Sequence, residues 1–173
     1  MNTTLFFLRS SEQKIATNML PYTLVADGFN DSTLPNIYTH EYGFKNSDIG
    51  IYSLTENEIS GAAWIRLYTE SHGVKGYIDN ATPVLIIGVI PDVRAQGIGS
   101  LIMDQLLQEA AVMYEQISVY VLSNSRTIKF YEELGFIQQN GVNYSDGFTM
   151  VKKLTKKEIT RPTDGYDPRR WMD

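Results

Sequence analysis

The chain has no cysteine among its 173 residues, which excludes disulfides, thiolate metal centres and a cysteine nucleophile together. Histidine is almost as scarce. His40 and His72 are not spaced as a ligand pair, so no metal site is expected. No apolar run approaches the roughly 18 residues of a membrane span. Met1 to Leu8 lacks the basic start and long apolar core of a signal peptide. Positive charge is short as well: 15 Lys and Arg stand against 20 Asp and Glu, for a net charge of −5. That balance speaks against nucleic acid or an anionic membrane as main partner and mildly favours cationic substrates. Internal repeats and low-complexity tracts are missing too. With 43% hydrophobic and 20% charged residues, the expectation is a cytoplasmic chain with one globular core.

Against these absences one stretch stands out. An apolar run, Val84 to Ile90, stops at Pro91, and Asp92-Val93-Arg94-Ala95-Gln96-Gly97-Ile98-Gly99-Ser100 leads into an amphipathic segment. The first amides of a helix have no intrahelical acceptor and sit at the positive end of its dipole. Gly97 and Gly99 remove Cβ atoms that would hold an anion away, and Arg94 can add a full positive charge. A dinucleotide fingerprint is excluded because Ile102 stands where a third glycine is needed. Gln116 to Leu122, moreover, offers no acid for a ribose. A nucleoside-triphosphate loop is excluded because no Gly-Lys pair occurs. Two readings stay open: a phosphate site, or a tight strand-to-helix turn.

The rest of the pattern is mixed α+β. Leu5 to Leu8 reads as a strand, and Ser10 with Gln13 as the cap of a helix running to about Leu20. Pro21 to Ser47 has no clear period, with a short helix expected near Leu34 to His40. Ile49 to Thr55 and Ile59 to Leu67 read as a hairpin around Glu56-Asn57-Glu58, and Tyr68 to Ala81 as a loop. Val84 to Ile90 has the composition of a central strand covered on both faces. Ile98 to Glu115 carries an apolar stripe at helical spacing. Ile117 to Leu122 is a further strand, and Ser125 to Leu134 a helix ended by Gly135. Phe136 to Gln138 and Phe148 to Leu154 close the fold as strands.

After the strand at Ile117 comes Asn124-Ser125-Arg126-Thr127-Ile128-Lys129-Phe130-Tyr131-Glu132-Glu133-Leu134-Gly135-Phe136. Together with Arg94-x-x-Gly97-x-Gly99, this ordered pair resembles the GCN5-related N-acetyltransferase (GNAT) superfamily, with Thr127 where alanine or serine is usual. The resemblance implies a central, mostly antiparallel twisted sheet, splayed at its fourth strand and flanked by helices, over residues 1–154. It also implies acetyl-CoA as cosubstrate. The amides of Arg94, Ala95, Gln96, Gly97, Ile98, Gly99 and Ser100 would hold its pyrophosphate. The backbone of Ile87, Gly88 and Val89 would pair with the pantetheine arm like an added strand. Gly88 would sit at a bulge that opens the cleft, Asn124 would bond the pantetheine region, and Tyr131 would protonate the leaving thiolate.

The implied reaction is direct attack of a primary amine, on a small molecule or peptide, in a ternary complex. The family often supplies a base from the strand that holds the cofactor, but Pro83 to Ile90 contains no carboxylate. Asp79 is the leading substitute, ahead of Glu70 and His72, and its alternative is an ordinary turn residue. The rival is an idle acyl-CoA-binding sensor. Trp64, Arg66 and Tyr68 either line an acceptor pocket or pack in the core. The tail, 155–173, is expected to pack on its own domain or on a second subunit in a homodimer, with Tyr166 and Trp171 as anchors.

Overall fold

The computed structural model describes residues 2–23 and 36–161. Seven strands form one sheet: β1 Thr3–Phe7, β2 Ile49–Thr55, β3 Glu58–Arg66, β4 Val84–Val89, β5 Gln116–Leu122, β6 Ile137–Asn143 and β7 Gly147–Lys153. Their order across the sheet is β1-β2-β3-β4-β5-β7-β6. Every neighbouring pair is antiparallel except β4 and β5, which are parallel. Among the described residues, three α-helices accompany the sheet: α1 Gln13–Met19, α2 Ile98–Ala110 and α3 Thr127–Glu133.

The β2–β3 hairpin turns on two residues, not three. Glu56 and Asn57 both take positive φ, 52° and 67°, as the two centre positions of the hairpin-favoured turn require. Glu58 is thereby free to pair with Thr55. At the start of α1 the expected Ser10–Gln13 cap is displaced by one residue. Glu12 N–H donates to Arg9 O, and the Glu12 carboxylate accepts from Arg9 N–H at 3.3 Å. The short helix expected near Leu34 to His40 is a single 3₁₀ turn at Asn36–Tyr38, and Leu34 lies outside the described residues.

Alternation along the strands splits the core in two. Ala63, Ile65, Leu85, Ile117, Val119 and Val121 face α2, where they meet Ile98, Ile102, Met103 and Leu106. Ala62, Trp64, Val84 and Ile86 face the other way, onto α1 residues Ala16 and Met19 and onto Tyr38 and Tyr42. Trp64 Nε1 donates to Tyr38 O, and Arg66 binds Asp48 Oδ1 at 3.2 Å and Ile37 O at 3.1 Å. Of the two sequence readings for Trp64, Arg66 and Tyr68, core packing is the one observed.

Helix α2 stops at Ala110, five residues short of the expected end. Met113 and Tyr114 both return N–H bonds to Ala110 O, and Tyr114 OH then reaches Ser47 O at 2.7 Å. That turn aims the chain into β5 and leaves Met113 half exposed. Beyond β7 the chain runs back along α2. Thr160 N–H donates to Gln108 Oε1, and Arg161 Nε meets Glu109 Oε1 at 3.2 Å, with the Glu109 side chain fully buried. Tyr166 and Trp171 lie outside the described residues.

Candidate functional site

Strands β4 and β5 begin side by side and then part. Val84 pairs with Ser118, whose N–H also donates to Pro83 O, and no further rung joins the two strands. Parallel strands with no turn between them can diverge once side chains wedge them apart. Here the gap is a narrow, open slot lined chiefly by Leu85, Ile86, Ile87, Val119, Tyr120 and Tyr131. The expected splay at the fourth strand is therefore present.

Its cause differs from the expected one. The β3–β4 ladder runs in register straight through Ala62↔Gly88, and the only irregularity near it lies between Ser53 and Leu54 in β2. Gly88 instead serves a close approach. On its slot-facing edge it makes an isolated antiparallel bridge to Thr23. A Cβ at Gly88 would stand 3.0 Å from Thr23 Cγ2 and 3.1 Å from Tyr22 O. Thr23 is held there by its own hydroxyl, which donates to Leu20 O at 2.7 Å.

The turn from β4 into α2 is built as an open cradle. Ile98 is buried and anchors the first helical turn, whereas Arg94, Ala95, Gln96, Gly97 and Ser100 face solvent. Gly97 is the residue before the helix, with φ +83°, and a Cβ on it would meet nothing within 4 Å. Ala95 also holds a positive φ, 64°, which costs a non-glycine residue about 1 kcal/mol. Gly99 lies against the Phe130 ring, 3.6 Å from its added Cβ. The Arg94 guanidinium is engaged with two backbone carbonyls. Nε donates to Val89 O at 2.8 Å and Nη2 to Tyr22 O at 3.4 Å. Its charge braces the turn, a role the sequence did not suggest.

Tyr131 projects from α3 into the wall of the slot and is 2% exposed. Its ring meets Phe130 and Phe136 edge-on, with centroids 5.3 and 5.5 Å away. Burial pushes its phenol well above the usual value, because an apolar surround disfavours the phenolate. The phenol therefore stays neutral through the neutral pH range. Gly135 closes α3 with φ +96°, and Phe136 N–H returns to Tyr131 O. Ser125 governs the helix start: its Oγ accepts from Thr127 N–H at 3.1 Å. Asn124 lies exposed in the turn after β5.

Asp79 is not among the residues lining the slot. It is exposed, and its Oδ1 accepts from Ala81 N–H at 2.9 Å, the side-chain turn that aspartate forms with the residue two ahead. Glu70 and His72 form an exposed 3₁₀ turn in which His72 Nδ1 accepts from Thr69 N–H. The acid that does stand near the slot is Asp146. It binds Tyr120 OH at 2.6 Å and Lys75 Nζ at 3.2 Å. Those two partners hold its carboxyl below the usual range. Sequence reasoning missed this group because it joins a loop, a strand and a hairpin tip distant in sequence. The one available signal was Tyr120, a hydroxyl-bearing ring in a largely apolar strand.

Among the described residues, no group of three His, Cys, Asp or Glu is placed to hold a metal, and no helix is long and apolar enough to cross a membrane. A family model for the acetyltransferase (GNAT) domain matches residues 48–138. Solved structures share the fold at low identity. An acetyltransferase of the GNAT family from Streptococcus pneumoniae is 14% identical with TM-score 0.66, covering 89% of this chain and 100% of that one. A phosphinothricin acetyltransferase from Sinorhizobium meliloti, in complex with acetyl-CoA, is 17% identical with TM-score 0.64, covering 97% of each chain. A ribosomal-protein-alanine N-acetyltransferase from Brucella melitensis is 16% identical with TM-score 0.63, covering 87% and 99%. No curated protein matches the sequence.

Proposed function

The chain belongs to the GNAT acetyltransferase family, and from that premise we propose that it moves the acetyl group of acetyl-CoA onto a primary amine of a small molecule or peptide. The observation carrying this reading is the slot where β4 and β5 part beside an open helix N-terminus. The fit to the cosubstrate rests on features already described. The site of a Gly97 Cβ is open space in front of unpaired helix amides, so a pyrophosphate meets backbone N–H groups from Arg94 to Ser100. An extended pantetheine arm is proposed to pair along β4 at Ile87 to Val89, where it would displace the Thr23 bridge to Gly88. Asn124, exposed in the turn after β5, is proposed to bond that arm as well.

Acetyl-CoA supplies an activated acetyl group, so no covalent enzyme intermediate is required. The Val89 N–H is the proposed donor to the developing oxyanion. Tyr131 gives its proton to the leaving thiolate: the thiol's pKa is about 8.5, and a phenol of about 10 or higher stays protonated to donate. Proton loss from the amine is assigned to water at the open mouth of the slot, because Asp79 is engaged in its own turn. The idle acyl-CoA sensor remains the second reading, favoured by the lack of a carboxylate among the slot-lining residues.

Thiol release from acetyl-CoA across a panel of amines separates the two readings. With no cysteine in the chain, a thiol-reactive dye sees no protein background. Turnover with at least one primary amine is expected. Micromolar CoA binding with no release for any amine would overturn the enzyme reading in favour of the sensor.

A further inference from the structure

The slot has two mouths, because successive residues of a strand point to opposite faces of the sheet. Val119 faces α2, on the side where the cradle lies, so Tyr120 faces the other side. There it meets Tyr144, Asp146 and Lys75 in a built corner. The Tyr120 and Tyr144 rings stand 5.3 Å apart at 88°, forming two walls. Each wall is pinned by its hydroxyl. Tyr120 OH donates to Asp146 Oδ1 at 2.6 Å, and Tyr144 OH accepts Gly76 N–H at 3.0 Å. Inside the corner sits one cation, Lys75 Nζ. It lies 4.9 Å from the Tyr120 ring centre, 5.9 Å from that of Tyr144 and 3.2 Å from Asp146 Oδ2.

Two aromatic faces and a carboxylate form a receptor for an ammonium group: the rings present their negative faces and the carboxylate supplies the counter-charge. The walls are fixed, but the occupant hangs on a flexible four-carbon stem and is two-fifths exposed. Tyr120 and Lys75 also line the slot itself. We propose that Tyr120, Tyr144 and Asp146 form the acceptor subsite for a primary alkylammonium on a flexible aliphatic chain, and that Lys75 is a tethered competitor for it. The subsite rests on the acyl-transfer reading only for the chemistry after binding. The corner adjoins the slot from the face opposite the cradle, so acceptor and cosubstrate enter from different sides. A tether supplies an effective concentration in the millimolar range, so an external alkylammonium must displace Lys75 and binds more weakly for it. Anionic and neutral acceptors gain nothing from the corner.

The test is calorimetric titration of the full chain with n-butylammonium chloride, with n-butanol as neutral isostere. Lys75→Met and, independently, Lys75→Gln are each expected to tighten n-butylammonium at least fivefold over the parent. Adding Asp146→Asn to Lys75→Met is expected to reverse this at least tenfold, with n-butanol unaffected throughout. Lys157→Met, at an exposed lysine of the tail, controls for net charge and is expected to change nothing. Equal affinity in the parent and both Lys75 variants overturns the inference, as does tight binding that survives Asp146→Asn. Titration of the same proteins with acetyl-CoA keeps the two claims apart. Failure of the parent to bind acetyl-CoA sinks the transferase reading, whereas tightening by Lys75→Met still upholds the subsite.

Discussion

Replacing Tyr131 with phenylalanine removes one oxygen from a residue that is 2% exposed, and the surroundings separate its two possible duties. The ring stays edge-on between Phe130 and Phe136. Packing is therefore conserved, and stability should move by no more than about 1.5 kcal/mol, the value of a single hydrogen bond. As a proton donor the hydroxyl is worth far more. General acids contribute about 10²- to 10⁴-fold, equivalent to roughly 2.7 to 5.5 kcal/mol of transition-state stabilisation. Tyr131→Phe is thus expected to lower kcat at least tenfold, with acetyl-CoA affinity within about twofold and a near-parental melting curve. The pH profile gives a second check. A phenol raised by burial keeps its proton past pH 10, so in the parent its ionisation removes no activity between pH 7 and 10. The assay is thiol release at saturating amine, with acetyl-CoA affinity measured separately. A variant whose kcat stays within threefold of the parent refutes the acid role and leaves Tyr131 as packing alone.

The same geometry sets three further outcomes. Gly97→Val should weaken CoA binding at least tenfold, since its side chain enters the open space before the helix amides at a φ of +83°; undiminished binding in a folded variant displaces the pyrophosphate from this turn. Asp79→Asn keeps the oxygen that accepts from Ala81 N–H and should leave kcat within threefold, whereas a fall beyond thirtyfold would restore Asp79 as base. Arg161→Ala removes the guanidinium from the fully buried Glu109 carboxylate, which keeps its hydrogen bond from Gln105 Nε2 at 2.9 Å, and should cost up to about 3 kcal/mol in denaturant unfolding; no change would reduce the tail contact to a surface pair.

Local chemistry made much of this fold readable from the chain itself. The Gly97-x-Gly99 turn, the α2 stripe and the Gly135 cap are each set by neighbours a few residues away. The apolar run of β4 likewise announces a strand covered on both faces. What escaped was set at long range. Thr23 meets Gly88 across 65 positions, and Lys75 meets Asp146 across 71. Arg94 looked like an anion ligand because arginine after such a strand so often is one. Its carbonyl partner Tyr22 sits in a stretch whose sequence has no period to place it. Asp79 is the reverse case: its turn with Ala81 was readable, while the missing strand carboxylate drew attention to it as a base.

The single Val84↔Ser118 rung has a mechanical meaning. Strands β1 to β4 and strands β5 to β7 behave as two half-sheets hung on one pin, with α2 as the bracing strut between them. With one backbone rung between the half-sheets, widening the far end of the slot would leave every other strand ladder intact. On the proposed reading, a pantetheine arm along β4 would take the place of the Thr23 bridge and tie the strand to its cosubstrate. Its binding energy is then shared between recognition and cohesion, and at a hundredfold excess over Kd it amounts to about 2.7 kcal/mol of added resistance to unfolding.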